Sequence, residues 1–280
     1  YGQMAIAWLG GNRMNPLLVP DQAGRLIRAY LRREHEPTPS VSDSVRFDTT
    51  DLARAAEILV AWGDRHHARD FILALDAQAT SKIDHVLAAR MATRLSIPDA
   101  AVMVARLAGR DGMTLVREGW PRTYTPPTSI LPADVELAVA RQESGFDASV
   151  ISPAHAVGLM QLLVPTAREM ARKAGLATTV SAASLTDPQL NMQLGAAYLA
   201  EIAQRMGGAV PYGAAAYNAG PHRTDTWLLT LGNPARDTPV PDAMLDWIES
   251  IPFGETRNYV ERVEENMAIY QATDPAQGQG

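Results

Sequence analysis

The 280-residue chain contains no cysteine, which excludes disulfides, thiolate metal ligands and thiol nucleophiles. No stretch approaches the roughly 20 consecutive apolar residues that cross a bilayer as a helix. The first residue is Tyr1, with neither a methionine nor a signal-like segment, so the chain reads as a processed or truncated form. A basic surplus is missing too. The formal charge of −6 and pI near 5.5 argue against nucleic acid as a partner, because phosphate binding needs a net basic face. There is no His-Glu-x-x-His zinc pattern, phosphate loop or Gly-x-Ser-x-Gly elbow, and the adjacent His66 and His67 cannot turn both rings to one metal from a helix. No cofactor is indicated. What remains is an ordinary globular composition, 46% hydrophobic and 20% charged, long enough for two domains.

Strand signals are nearly absent, with a small hairpin between Ser149 and Leu162 the one candidate, and the spacing predicts an all-α fold. Up to about Gly109 the reading is helical throughout. Leu52, Ala55, Ala56 and Leu59 form a 3.6-period stripe, and Phe71 with Leu75, then Val86, Ala89 and Leu95, form others. Glu36-Pro37-Thr38-Pro39-Ser40 reads as a loop, and Pro98 opens a helix after Ser96-Ile97. Paired helices of this length fit either a solenoid with drifted repeats or an irregular bundle. Proline and glycine then concentrate from Gly109 through Trp120-Pro121 to Tyr124-Thr125-Pro126-Pro127-Thr128, which reads as an extended linker. The expected domains are 1–125, helical with the linker, and 126–272, with a tail at 273–280. Beyond the linker, Asp187-Pro188 marks a capped helix start. Leu190, Leu194, Tyr198 and Ile202 make its buried stripe, and Gly207-Gly208 end it. A last helix from near Thr256 carries Tyr259 or Val260, Val263, Met267 and Tyr270.

Glu143 stands out because Val135, Val139 and Glu143 recur every fourth residue, placing a carboxylate on a helix face with two β-branched apolar side chains. Gly145 is a C-terminal stop, so Glu143 occupies the last turn, where the negative end of the helix dipole opposes a second negative charge. Partial burial and the dipole both favour the protonated acid, the form that donates a proton near neutral pH.

A series of short elements follows: Ser144-Gly145-Phe146, Ser152-Pro153, Gly158-Leu159-Met160-Gln161, Ala216-Tyr217-Asn218-Ala219-Gly220, Glu249-Ser250-Ile251-Pro252-Phe253 and Glu255-Thr256-Arg257-Asn258-Tyr259-Val260. In this order they resemble the soluble lytic transglycosylases of bacterial cell-wall turnover, over about Ile130 to Tyr270. The resemblance implies a superhelical N-terminal region followed by a catalytic domain with a goose-type-lysozyme-like helical fold. It further implies a periplasmic location, peptidoglycan glycan strands as substrate, and cleavage of the MurNAc-β-1,4-GlcNAc bond with a 1,6-anhydro end. Other cell-wall proteins as partners stay open.

The chemistry of such a cleavage needs a proton on the leaving oxygen and something to capture the oxocarbenium-like centre. Glu143 supplies the proton. Asp147 reads as solvated after a turn, and Glu169 and Glu249 are remote, so a second carboxylate is not evident. In the family the substrate's own C6 hydroxyl attacks C1, the single glutamate serving as acid and then base, and proximity replaces the partner carboxylate. Substrate-binding residues carried over by the resemblance are Ser152, Met160, Gln161, Tyr217, Asn218 and Glu249. Ser152 is equally a turn-maker, Met160 suits an apolar wall, and Gln161 offers an amide that donates and accepts. Tyr217 is placed to orient Glu143, Glu249 lies at the groove rim, and Arg257 and Tyr259 read as structural. His155 stands where the family often has glycine, and the proline after Gln161 is displaced to Pro165. Two rivals remain: a lysozyme-like hydrolase on the same fold, and a non-catalytic wall-binding scaffold, which has no need of an acid on an apolar helix face.

Overall fold

The computed structural model describes residues 27–29, 31, 36–177, 179–237 and 241–274. The helical expectation for the segment before residue 27 and most of the tail at 273–280 lie outside these residues. Two compact units are present, one holding 31–123 with 145–147, the other 124–144 with 148 onward and the described residues 27–29.

Among its described residues the regular structure of the first unit is all helical, and side chains of its own cap four of the helix starts. Ser40 and Ser81 close capping boxes with Asp43 and Asp84 at α1 (Val41–Asp48) and α4 (Lys82–Arg94). Thr50 and Asp64 cap α2 (Asp51–Ala61) and α3 (Arg65–Ala77). Pro98 opens α5 (Pro98–Arg110), and the short α6 (Val116–Gly119) follows. Each side-chain cap stabilises by ~1 kcal/mol by satisfying amides that the first turn leaves unpaired. Successive helices pack as neighbours, α2 on α3 and α4 on α5 most extensively, in the manner of stacked hairpins. The seams are rich in alanine: Ala53, Ala56, Ala68, Ala88, Ala89 and Ala100 are fully buried with Ile72, Val86 and Val104. Of the expected stripes, Ala56, Leu75, Val86 and Ala89 are buried as expected, while the larger members at the margins are not the deepest. Ala53 and Ile72 lie deepest, whereas Leu52, Leu59 and Phe71 pack half-buried at the edges, because small side chains let the helix axes approach.

In the second unit the central helix is α7 (Ala133–Glu143), buried nearly all round through Val135, Leu137, Ala138, Val139 and Ala140. A hairpin of two-residue strands, β1 (Ala156–Val157) and β2 (Leu162–Leu163), follows with Ala156 opposite Leu163. It leads through Pro165 into α8 (Val164–Lys173). Asp187 caps α9 (Pro188–Arg205) by accepting from the Leu190 amide at 2.7 Å, and Gly207 and Gly208, both at positive φ, follow its end. Then come α10 (Val210–Ala219), α11 (Pro221–Thr230), α12 (Pro234–Asp237), α13 (Pro241–Glu249) and α14 (Gly254–Ala272). The last helix lies along both α7 and α10, burying Val260, Val263, Met267 and Tyr270. Leu131, Val135, Val139, Leu199 and Val263 converge without a water-sized void, as in a close-packed interior.

Asn191, wholly buried on α9, fixes the loop inside the hairpin. Its Nδ2 donates to Val157 O at 2.8 Å and Leu185 O at 2.9 Å, and its Oδ1 accepts from the Met160 amide at 2.8 Å. Gly158 has φ +76, and a Cβ there would stand 2.4 Å from Asn191 Nδ2 and 2.5 Å from Leu185 O. Gly158→Ala combines that collision with the left-handed backbone, and we expect a loss of at least about 3 kcal/mol in urea unfolding. Gly175→Ala, at φ +66 in open space, is the control and should lose only about 1–2 kcal/mol. Equal losses in the two proteins would remove the steric argument.

Candidate active site

Glu143 ends α7, with Ser144 as its C-cap and Gly145 at φ +61 beyond it. Burial pushes its carboxyl up to about 7 from 4.5, and the one opposing influence is the Tyr259 hydroxyl, which donates to Oε1 at 2.6 Å. Asp147, the acid nearest in sequence, is not among the groups that shift Glu143; its charge acts on Asp99 within the other unit. Desolvation is what makes this glutamate a neutral-pH acid.

Tyrosines on two helices close around the carboxyl. Burial, then the charge of Glu143, raises the hydroxyls of both Tyr217 and Tyr259 well above the usual tyrosine range. Both therefore act as O–H donors at any working pH. The donor to Glu143 is Tyr259, which corrects the expectation that Tyr217 orients the acid and Tyr259 is structural. Tyr217 instead donates to the Met160 carbonyl at 2.7 Å and packs on Tyr198, ring centroids 5.5 Å apart. The sequence signal for Tyr259 lay in its spacing from Thr256. The two share a face of α14, and the Thr256 hydroxyl donates to Asn218 Oδ1 at 2.7 Å.

The Gly158–Gln161 loop meets the site through its backbone. Ser144 Oγ donates to Leu159 O at 2.8 Å, tying the residue after the acid to the loop. Met160 is fully buried, and a Cβ on Gly195 would come within 2.4 Å of its sulfur. Its side chain is thus core, not an apolar wall open to substrate; the loop contributes its amide and carbonyl instead. Gln161 has φ +48 and donates from Nε2 to Val150 O at 3.2 Å and Gly158 O at 2.9 Å. What it can offer a ligand is its side-chain carbonyl, not the two-way amide expected. Ser152 is a turn-maker here: its Oγ accepts from the Ala156 amide at 3.1 Å. His155, three residues after Ser152, has φ +62, the conformation a glycine would adopt without strain. Asn218 lies beside Tyr217 at the end of α10. Glu249 is exposed at the end of α13, where its backbone carbonyl accepts from Arg257 Nη1 at 3.1 Å, and no contact brings its carboxylate to Glu143.

A helical domain with a half-buried, tyrosine-bound glutamate at the end of its central helix is lysozyme-like in class. Residues 129–238 match the family model "Transglycosylase SLT domain". The chain is 33% identical over 242 residues to the soluble lytic murein transglycosylase of Escherichia coli K12, covering 84% of this chain and 36% of that protein. Against its Salmonella typhimurium counterpart the identity is 39% over 135 residues, covering 48% and 20%. The chain thus spans about a third, or less, of the length of these curated relatives. Among solved structures, the 70 kDa soluble lytic transglycosylase of Escherichia coli superposes with a TM-score of 0.72 at 26% identity, over 96% of this chain and 45% of that one. An inactive Glu-to-Gln mutant of lytic transglycosylase Slt from Pseudomonas aeruginosa gives 0.72 and 26%, over 96% and 42%. Residues 129–238 belong to the transglycosylase SLT domain family, and the chain around them is similar to the soluble lytic transglycosylases. Among the described residues no helix is long and apolar enough to cross a membrane.

A carboxyl raised from 4.5 to about 7 leaves a mark on stability. The neutral form is favoured in the folded state, so its contribution is complete below the unfolded value, declines as the pH rises and is gone above about 7. Urea unfolding at pH 4 and pH 8 should show wild type losing about 3 kcal/mol relative to Glu143→Gln across that window. Parallel curves for the two proteins would mean that Glu143 is solvated.

Proposed function

We propose that this chain is a peptidoglycan lytic transglycosylase that cleaves the MurNAc-β-1,4-GlcNAc bond and leaves a 1,6-anhydro-MurNAc end. The observation that carries the reading is the Glu143 carboxyl, pushed to about 7 by burial and held by Tyr259, with no other carboxylate among the groups that shift it. With Oε1 accepting from Tyr259, the acid proton resides on Oε2 and passes to the glycosidic oxygen as the bond to C1 breaks. The C6 hydroxyl of the same sugar then bonds to C1, and the Glu143 carboxylate takes its proton. The glutamate ends protonated, as it began, and no water enters. An intramolecular nucleophile needs no second carboxylate to activate it.

Around this acid, Tyr217, Asn218 and the Gln161 carbonyl form the sugar-binding wall, with Ser152 shaping the loop beside it and Glu249 at the rim. The periplasm, where glycan strands are accessible, is the compartment this reading requires. Residues 126–272 constitute the catalytic domain, and 1–125 are the helical domain and linker that accompany it.

Digestion of purified peptidoglycan followed by mass analysis tests the chemistry. Each product should weigh one water less than a lysozyme product, and reducing-end muramic acid as the sole product would assign the site to a hydrolase. Glu143→Gln should lower kcat by at least ~10²–10⁴-fold with KM little changed, since it removes both proton donor and later base. Tyr259→Phe should cost less. It removes the donor that holds the carboxyl down, so the alkaline limb of its pH–rate profile should move to higher pH. The domain assignment is tested by expressing residues 126–272 alone, which should give a helical circular dichroism spectrum and a cooperative melt; an unfolded segment would refute it.

A further inference from the structure

Besides the Tyr259–Glu143 bond, α14 meets the last turn of α7 through a buried cation. Arg141 Nη1 donates to Asn266 Oδ1 at 2.7 Å. Arg141 is 7% exposed and Asn266 2%, so a guanidinium and an amide lie between helices whose other buried residues include Val135, Ala138, Val260 and Val263. The charge of Arg141 is not among the influences on the Glu143 carboxyl, two residues further along the same helix. What this arginine does for the acid it therefore does by position, not by field.

A row of alanines and valines packs in several axial registers at similar cost, and a buried polar group is what singles one out. Any register that parts Arg141 from Asn266 strips a hydrogen bond from a charge that water barely reaches. Asn266 stands seven residues after Tyr259, two turns along one face of α14 and about 10 Å along its axis. Glu143 and Arg141 are only two residues apart on α7, and the long arginine side chain spans the difference. One contact lets a helix pivot about it; two contacts this far apart fix both slide and rotation. The Thr256–Asn218 bond ties the start of α14 to α10, which leaves its register on α7 to this pair. The ionisable groups facing Glu143 are the hydroxyls of Tyr259 on α14 and Tyr217 on α10. Tyr217 is held by the Met160 carbonyl, so Tyr259 is the one that α14 carries into place.

We infer that Arg141 and Asn266 are positioning residues that set the axial register of α14 on α7 and so deliver the Tyr259 hydroxyl to Glu143. The effect on turnover rests on the glycan-cleaving reading above; the effect on the carboxyl needs no substrate.

The test uses the whole 280-residue chain. In a protein carrying Arg141→Met and Asn266→Leu together, both polar groups give way to apolar side chains of similar size, so the seam stays closed and no charge is stranded. Urea unfolding should show it about as stable as wild type. Its kcat on peptidoglycan strands should nevertheless fall by about ten- to a hundredfold, with KM little changed, because Tyr259 no longer holds the acid in line. The Glu143 titration, followed by carboxyl NMR, should move above about 7, as in Tyr259→Phe, and adding Tyr259→Phe should move it no further. Asn266→Asp, which keeps an oxygen for the guanidinium, should retain kcat. Should the double variant fail to fold, Arg141→Lys takes its place: an ammonium keeps the charge without the reach, and the same rise in the titration is expected. A folded variant with wild-type kcat, or one whose carboxyl titrates at or below the wild-type value, would overturn the positioning role while the cleavage reading stands. A wild type that cuts no strand would overturn the cleavage reading, and the titration would still decide whether the pair places Tyr259.

Discussion

Withdrawal of one carboxyl from water is the constraint on which the C-terminal unit turns. A glutamate at the end of a helix is ordinarily solvated and ionised; here the walls of α10 and α14 replace its hydration with two tyrosines, and one of them returns a single hydrogen bond. One neutral donor is too weak to stabilise the anion against the loss of water, so the acid form wins. A second donor, or an arginine in place of Tyr259, would reverse the balance and leave an ordinary carboxylate.

The same economy of contacts governs the loop beside it. Asn191 uses donor and acceptor atoms alike on Val157, Met160 and Leu185, and the carbonyls of Leu159 and Met160 accept from Ser144 and Tyr217. Three helices therefore hold one short loop by its backbone, which leaves side-chain identity there to be set by packing. Gly158 is required by space and conformation together, and Met160 by the hole left beside Gly195. A loop fixed through its amides holds its position beside the acid without presenting many side chains.

The helical class and the site's anchor were legible because they rest on local rules. The four-residue spacing of Val135, Val139 and Glu143, the Asp187 cap and the two-glycine stop after α9 depend only on nearby residues. What was not legible depends on which atoms meet across the fold. Tyr259 reaches Glu143 over 116 positions of chain, Tyr217 turns to a loop carbonyl instead, and Gln161 uses its amide hydrogens on its own hairpin. Met160 was misread for the same reason: flexible apolar side chains suit walls and cores alike, and only the absence of a Cβ on Gly195 decides. In the helical unit Ala56, Val86 and Ala89 lie where the periodicity put them, but Ala53 and Ile72 outrank Leu52 and Phe71, because periodicity locates a face and not its deepest row.

The long reach between α7 and α14 has a consequence for the order in which the molecule is made. Synthesis delivers Glu143 well before Tyr259, and until α14 packs down, that glutamate is one more ionised side chain on a growing polypeptide. The proton-donating character of the acid is thus a property of the finished chain. A polypeptide released short of its last helix would carry every atom of Glu143 but no proton on it to give near neutral pH.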